Sequence, residues 1–253
     1  MPQKLGQHFL ANAAVLQRIA AAACPEPVDL VIEIGPGRGA LTEKLLQRAA
    51  RVVAVEIDST LVAHLRTRFA AEPRLEILHG DVLSTNLARW GRVPIVGNLP
   101  YYITSPILEK TVRLDVPRLV FLIQKEVAER LAAQPGHREY GFLTAQTALF
   151  ADTRLLFEVK PGSFRPPPQV DSAVVELTPH TRDLGIGDRE AFLRFLGLSF
   201  RQKRKTLRNN LAAHYGKEPV AAWPEAGLRA EQLTLAQFAA MFRRTLPPPA
   251  PAA

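Results

Sequence analysis

Val31-Ile32-Glu33-Ile34-Gly35-Pro36-Gly37-Arg38-Gly39-Ala40-Leu41-Thr42 is an apolar run that enters a glycine-rich turn and continues as a helix-compatible segment. Glycines at such a turn let the backbone approach a ligand in the crevice beyond the carboxyl end of a strand, the arrangement of an α/β fold built on a parallel sheet. The spacing is G-x-G-x-G and not the G-x-G-x-x-G of dinucleotide sites, which argues against nicotinamide and flavin cofactors. A glycine turn can also serve packing alone, so a ligand site has to be argued from residues further along.

Outward from this turn, short β-rich runs alternate with helical segments between residues 28 and 180: Leu30–Ile34, Arg51–Ile57, Leu75–Leu78, Val93–Val96 and Leu119–Ile123, then Thr153–Val159 and Ala173–Leu177. The first five are candidate parallel strands in βαβ units. The last two flank the stiff stretch Lys160–Gln169 and are expected to pair as an antiparallel edge hairpin. From about Arg182 the pattern is helical, and Leu233, Phe238 and Phe242 continue it to a frayed tail at Pro247–Ala253. The expected organisation is an α/β domain over 1–180 and a small all-helical, basic domain over 181–253, joined around Pro179–Gly187.

The ends of the early strands carry acids. Glu56 closes the second run 23 residues after Glu33, where a carboxylate can accept hydrogen bonds from both hydroxyls of a ribose. Asp58, two residues on, suits a helix cap. Asp81 follows the third run and Gly80, placed to accept from the exocyclic amine of an adenine. Together these describe an adenosine-type cofactor pocket without a phosphate-binding lysine.

Composition sets the outer bounds. A length of 253 residues allows one or two domains, and 47% hydrophobic with 22% charged residues is globular. Cys24 is the single cysteine, so no internal disulfide forms, and no Cys/His spacing suits zinc; a reducing, cytoplasmic setting and no metal are expected. No signal-peptide layout and no run of ~20 apolar residues appear, so no membrane span is expected. Lys and Arg number 32 against 24 Asp and Glu, a net +8 that suggests an anionic partner. The surplus is C-terminal: 20 basic and 18 acidic residues lie up to His180, 12 and 6 after it. It peaks at Arg201, Lys203, Arg204, Lys205 and Arg208, with no acid among them. On a helix from about Ala191 to Ala213, Leu196, Phe200, Leu207 and Leu211 form one stripe, with Arg201, Lys205 and Arg208 about a quarter turn away. Such a face can lie on a phosphate backbone, though a solvated charged face has the same pattern.

Behind the fourth run stands Gly97-Asn98-Leu99-Pro100-Tyr101-Tyr102. Asn-Leu-Pro-Tyr here resembles the Asp/Asn-Pro-Pro/Leu-aromatic motif of S-adenosylmethionine-dependent methyltransferases that modify exocyclic amines. The residue types suit that chemistry. The N6 lone pair of adenine is delocalised into the ring; acceptors on its two hydrogens, the Asn98 side-chain oxygen and the Leu99 carbonyl, draw the nitrogen toward a tetrahedral shape. Pro100 fixes the direction of the carbonyl and Tyr101 stacks on the base. Phe164, in a loop stiffened by Pro166, Pro167 and Pro168, is a candidate for the other wall of that slot.

The resemblance narrows further on the order of motifs. Gly6-Gln7-His8-Phe9-Leu10, Glu33 to Thr42, Asn98 to Ile107, Gln124 to Leu131, Phe164 to Val175 and Arg204 to Leu211 together resemble the ribosomal RNA adenine N6,N6-dimethyltransferase family. Within it the chain is most similar to the bacterial small-subunit members, whose loss gives kasugamycin resistance. Coverage runs from residue 3 to about 242. The resemblance implies a Rossmann-like S-adenosylmethionine-dependent methyltransferase domain followed by an rRNA-docking helical domain. It implies transfer of four methyl groups from S-adenosyl-L-methionine to two adjacent adenosines in the 3′-terminal hairpin of 16S rRNA, within an immature 30S subunit and late in its biogenesis. By position it implies that His8, Leu10, Gly35, Gly37, Glu56, Asp81 and Asn98 border the cofactor. It implies that Asn98, Leu99, Pro100, Tyr101 and Phe164 hold the target base, and that Arg201, Arg204, Lys205 and Arg208 meet RNA. A monomer is expected. His8 stands where many relatives have Asn.

Two other readings stay open on sequence. Macrolide-resistance methyltransferases acting on 23S rRNA share the glycine turn and the Asn-x-Pro-aromatic logic; the stretches at 164–172 and 204–210 favour the small-subunit enzyme. A non-catalytic RNA-binding assembly factor, or a transcription factor keeping the fold, is disfavoured by intact Glu56, Asp81 and Asn98 to Tyr101, and absence of S-adenosylmethionine binding would favour it.

Overall fold

The apolar runs become strands in a computed structural model that describes residues 8–246. Gly6 and Gln7 of the first motif and the tail from Pro247 lie outside the described residues. In chain order the strands are β1 (Phe9–Leu10), β2 (Val28–Ile34), β3 (Ala49–Glu56), β4 (Leu75–His79), β5 (Ile95–Asn98), β6 (Leu119–Gln124), β7 (Ala151–Val159), β8 (Phe164–Arg165) and β9 (Ser172–Pro179). The helices include α1 (Ala13–Ala23), α2 (Ala40–Leu45), α3 (Ser59–Arg68), α4 (Thr104–Thr111), α5 (Lys125–Ala132) and α6 (Phe142–Ala148). They continue with α7 (Arg189–Ser199), α8 (Leu207–Tyr215), α9 (Lys217–Ala221) and α10 (Leu235–Arg243).

Seven strands form one sheet in the order β4-β3-β2-β5-β6-β9-β7. β4, β3, β2, β5 and β6 are parallel neighbours, while β9 is antiparallel to both β6 and β7. The expected antiparallel edge pair is therefore present, with a register shift between Leu155 and Phe157. Val31, Ile32, Ile95, Val96 and the run Leu119 to Ile123 are fully buried, as expected of parallel strands covered on both faces. The fold is the Rossmann-like α/β architecture with a helical C-terminal region. No helix among the described residues is long and apolar enough to cross a membrane.

Three sequence expectations need correction. The fourth strand starts and ends two residues later than the run Val93–Val96 suggests, so Asn98 is itself its last residue. Gly97 makes this possible: a Cβ there would stand 2.5 Å from the Ile34 carbonyl oxygen, so only glycine lets β5 lie against β2 at this level. The single helix over 191–213 is broken. α7 stops at Ser199, and α8 starts at Leu207 after an exposed turn that carries Arg201 to Lys205. The buried Asn210 amide donates to the carbonyls of Ser199 (2.7 Å) and Gln202 (3.2 Å). Leu207 N–H bonds the Leu228 carbonyl at 2.8 Å instead of a preceding turn of helix. Leu196, Leu207 and Leu211 are still buried.

The third correction concerns the boundary at 180. The chain divides into two compact units, one holding the described residues to Glu129 and Ala151–His180, the other Arg130–Phe150 and the residues from Thr181 onward. The segment 130–150 belongs with the helices because its polar and aromatic partners are there. Gly136 N–H donates to the Glu231 carbonyl at 2.7 Å, and the Tyr140 ring lies 6.0 Å from that of Phe200. An aromatic core of Phe192, Phe195, Phe238 and Phe242 fills this second unit, with centroids of Phe192 and Phe242 5.4 Å apart.

Glu33, near the carboxyl end of β2, is 1% exposed among these apolar strands. Thr42 of α2 donates its hydroxyl to Glu33 Oε2 at 2.6 Å. Burial pushes the carboxyl up from 4.5 to about 8, against the opposing hydrogen bond from Thr42 and with help from the nearby Glu56 charge. The folded chain thus keeps a proton that the unfolded chain releases near pH 4.5, so the contribution of Glu33 to stability is fully present below that pH and is lost progressively up to about pH 8. Glu33→Gln, which keeps an acceptor for Thr42, is expected to flatten this part of the stability profile by a few kcal/mol in denaturant titrations between about pH 4.5 and 8.5. An unchanged slope would contradict the buried-acid assignment.

Candidate functional site

In a parallel sheet all carboxyl ends emerge on one edge, so residues distant in sequence meet there. Four of those ends, from β2, β3, β4 and β5, line a cavity of about 340 Å³ in the first unit. The turn after β2 holds Gly35, Gly37 and Gly39 at φ of 67°, 58° and 82°. At Gly37 a Cβ would also come within 3.1 Å of the Phe9 ring, so bare backbone faces the cavity under that ring.

Glu56 ends β3 and is 4% exposed. Its Oε2 accepts from Gly37 N–H at 3.2 Å and its Oε1 from Asp58 N–H at 3.0 Å. Burial raises its pKa, and the backbone donors oppose that rise. Each oxygen keeps further acceptor capacity for a ligand hydroxyl. Asp58 caps α3, accepting from Thr60 N–H at 2.8 Å, as its position suggests. Asp81 follows β4, and its Oδ1 accepts from Leu83 N–H at 2.8 Å, closing a tight turn. Between the two acids, Ile57 and Val82 add apolar cavity wall.

Lys110 of α4 completes this loop and is not legible from sequence. Its ammonium donates to the carbonyls of Val82, Leu83 and Thr85 at 2.9, 2.7 and 2.6 Å, which ties the Asp81 turn to the helix that follows Asn98–Tyr101. Burial lowers its pKa, and the charge of Asp81 opposes that.

Asn98 donates through Nδ2 to the His8 carbonyl at 3.1 Å, which leaves Oδ1 as the acceptor of its amide. Leu99 N–H bonds the Leu122 carbonyl at 3.0 Å, anchoring the motif to β6. The Pro100 carbonyl accepts from Ile103 N–H (3.2 Å) and the Thr104 hydroxyl (3.1 Å). Tyr101 is fixed by a 2.7 Å hydroxyl contact with Ser172 of β9, and burial raises the pKa of its phenol. The His8 ring lies 6.0 Å from the Tyr101 ring and its Nδ1 is 3.0 Å from the Pro166 carbonyl. Thus the backbone of His8 holds Asn98, and its side chain braces the proline loop.

β1 and β8 form a two-residue antiparallel ladder, Phe9 opposite Arg165 and Leu10 opposite Phe164. Leu10, though largely buried, reaches the cavity. Phe164 does not: its ring is 0% exposed, belongs to the core cluster that includes Leu10 and Leu16, and is absent from the cavity wall. The Phe164 ring thus packs in the core beside Leu10, off this cavity. Alternation along the strand turns Phe164 inward and its neighbour Arg165 toward the cavity. Tyr102, 59% exposed on the cavity wall, is a site residue that the sequence reading passes over. Arg201, Arg204, Lys205 and Arg208 are exposed in the second unit, on the turn and the start of α8, and none of the four forms an ion pair among the described residues.

The profile of the family described as "Ribosomal RNA adenine dimethylase" matches residues 2–245. The chain is 43% identical to the "Ribosomal RNA small subunit methyltransferase A" of Acidobacterium capsulatum, over 95% of this chain and 89% of that one. The crystal structure of a dimethyladenosine transferase from Plasmodium falciparum superposes with a TM-score of 0.79 at 27% identity, covering 94% of this chain and 98% of that one. The 23S rRNA methyltransferase ErmE follows with a TM-score of 0.70 at 26% identity, over 94% and 99%. A profile match that leaves out only a few terminal residues leaves one conclusion: the chain belongs to the ribosomal RNA adenine dimethylase family.

Proposed function

We propose that the chain methylates N6 of two adjacent adenosines in the 3′-terminal hairpin of 16S rRNA, two methyl groups on each, with the immature 30S subunit as substrate. Methyl transfer from S-adenosylmethionine is the chemistry of its family. The cavity fits that donor: Glu56 and Asp81 offer acceptors for ribose hydroxyls and an adenine amine, Ile57 and Val82 offer faces for a ring, and the turn at Gly35 and Gly37 exposes backbone. When bound, the donor supplies an electrophilic methyl on a sulfonium.

The observation that carries the reading is the Asn98 amide, whose Nδ2 is occupied by the His8 carbonyl so that Oδ1 is held as an acceptor beside the cavity. Asn98 Oδ1 and the Leu99 carbonyl accept the two N6 hydrogens and localise the lone pair. Pro100 and the carbonyl bonds behind it keep that loop rigid, and Tyr101, pinned by Ser172, gives the base a wall. No strong general base is needed, because the alkylated nitrogen is acidic and sheds its proton to water or a carbonyl. Positioning and fixed dipoles supply the rate. The helical unit, with its exposed turn of cations, docks on structured RNA, and the protein acts as a monomer in the cytoplasm. The 43% identity to a small-subunit enzyme, against 26% to ErmE, favours 16S over 23S rRNA.

Asn98→Ala is expected to slow methylation of undermethylated 30S particles on the order of a hundredfold or more, with particle association unchanged; parallel loss of both would contradict the assignment. Reversing charge at Arg201, Arg204, Lys205 and Arg208 is expected to weaken association with 30S particles and to flatten its salt dependence, by up to ~0.7–0.9 in log–log slope for each phosphate no longer neutralised. Donor affinity measured by calorimetry stays as it was. A weakened donor affinity with intact particle binding would place these residues elsewhere in the mechanism.

A further inference from the structure

The cavity is acidic inside and basic on one wall. The carboxylates of Glu56 and Asp81 line it, together with the protonated Glu33, and so do two exposed arginines, Arg38 and Arg165. Both are organised by the same short strand. The Arg38 guanidinium lies 4.9 Å from the centroid of the Phe9 ring, while Arg165 is the backbone partner of Phe9 across the β1–β8 ladder. Arg165 Nη1 donates to the carbonyls of Gly162 (3.0 Å) and Phe164 (2.8 Å), which fixes the planar group and, among the described residues, leaves its other nitrogens available. The neighbouring Arg68, which donates to the Arg38 carbonyl at 2.6 Å, is spent on a carboxylate, Glu43 at 2.8 Å. Arg38 and Arg165 form no ion pair among the described residues.

A base that enters such a cavity leaves its phosphodiester at the mouth, in the field of the acids within. We infer that Arg38 and Arg165 form a phosphate subsite that grips the RNA backbone beside the flipped adenosine. The ligand class is a phosphodiester, and planar guanidinium groups suit its oxygens. The subsite offsets the repulsion between that phosphate and the carboxylates that serve the donor. Because it is built on β1, it forms only where the N-terminal strand lies over the glycine turn. The inference rests on the reading that Asn98 holds the target base.

The test is steady-state methylation of undermethylated 30S particles by Arg38→Gln, Arg165→Gln and the double variant, with Arg38→Lys and Arg165→Lys as charge-keeping controls. Each glutamine variant is expected to raise KM for particles about tenfold, with kcat little changed and calorimetric affinity for S-adenosylmethionine within twofold. The log–log salt slope of kcat/KM becomes shallower by ~0.7 per arginine. The lysine variants retain most of that slope. Loss of donor affinity with unchanged particle KM would overturn the inference, since the arginines would then hold the donor's carboxylate; so would equal behaviour of the lysine and glutamine variants. Failure of the underlying reading is separate: Asn98→Ala would then keep its methylation whatever the arginines do.

Discussion

The hydrogen bond from Asn98 Nδ2 to the His8 carbonyl joins the two parts of the chain on which the site depends. Asn98 closes a central strand, and its backbone is fixed by pairing with Leu122. His8 leads into a two-residue strand held by Arg165 and Phe164 and by the Ser163 carbonyl, which accepts from Ala11 and Asn12. One bond therefore sets the orientation of the amide and stations the N-terminal segment beside the cavity. A primary amide that could rotate would offer a donor as readily as an acceptor to an incoming amine. With its NH2 group engaged it presents an oxygen, which the chemistry at a conjugated nitrogen requires.

The electrostatics divide along the same line. Glu56 is buried yet solvated by two backbone N–H groups, so its charge is supported where ligand hydroxyls are to be bound. Glu33, buried without such donors beyond Thr42, retains its proton to about pH 8. Lys110 spends its ammonium on three carbonyls, making a loop rigid without placing a phosphate-binding cation in the cavity. The cations assigned to RNA in the proposals above are exposed: Arg38 and Arg165 beside the cavity, and Arg201, Arg204, Lys205 and Arg208 in the helical unit. Under the proposed function the net +8 of the chain divides by task, with carboxylates serving a cationic donor and guanidinium groups a polyanion.

The sheet is legible in the sequence because short apolar runs between turns have few alternatives, and Glu56, Asp81 and Asn98 stand out because each lies at the end of such a run or just beyond it. Phe164 is not, because its direction depends on which face of β8 meets the core, and that is set by pairing with Leu10 far away in the chain. The break between α7 and α8 leaves no trace in periodicity: Leu196, Leu207 and Leu211 are buried in either arrangement, and the deciding contact is the Asn210 side chain reaching back to Ser199. Segment 130–150 reads as one more α/β connection, and only its bonds to residues such as Glu231 place it with the helices. Lys110 looks like any helix-surface lysine until the loop it clamps is in place.

The central claim is that the amide acceptor and the donor pocket act together on adenine N6 of small-subunit RNA. Mass spectrometry of nuclease fragments of 16S and 23S rRNA tests it most directly, using ribosomal particles from a strain lacking this protein, before and after incubation with the protein and S-adenosylmethionine. The account predicts a gain of two methyl groups on each of two adjacent adenosines of the 16S 3′-terminal hairpin and no change in 23S rRNA. Methylation confined to 23S rRNA, or no gain of methyl groups in either RNA, would contradict it.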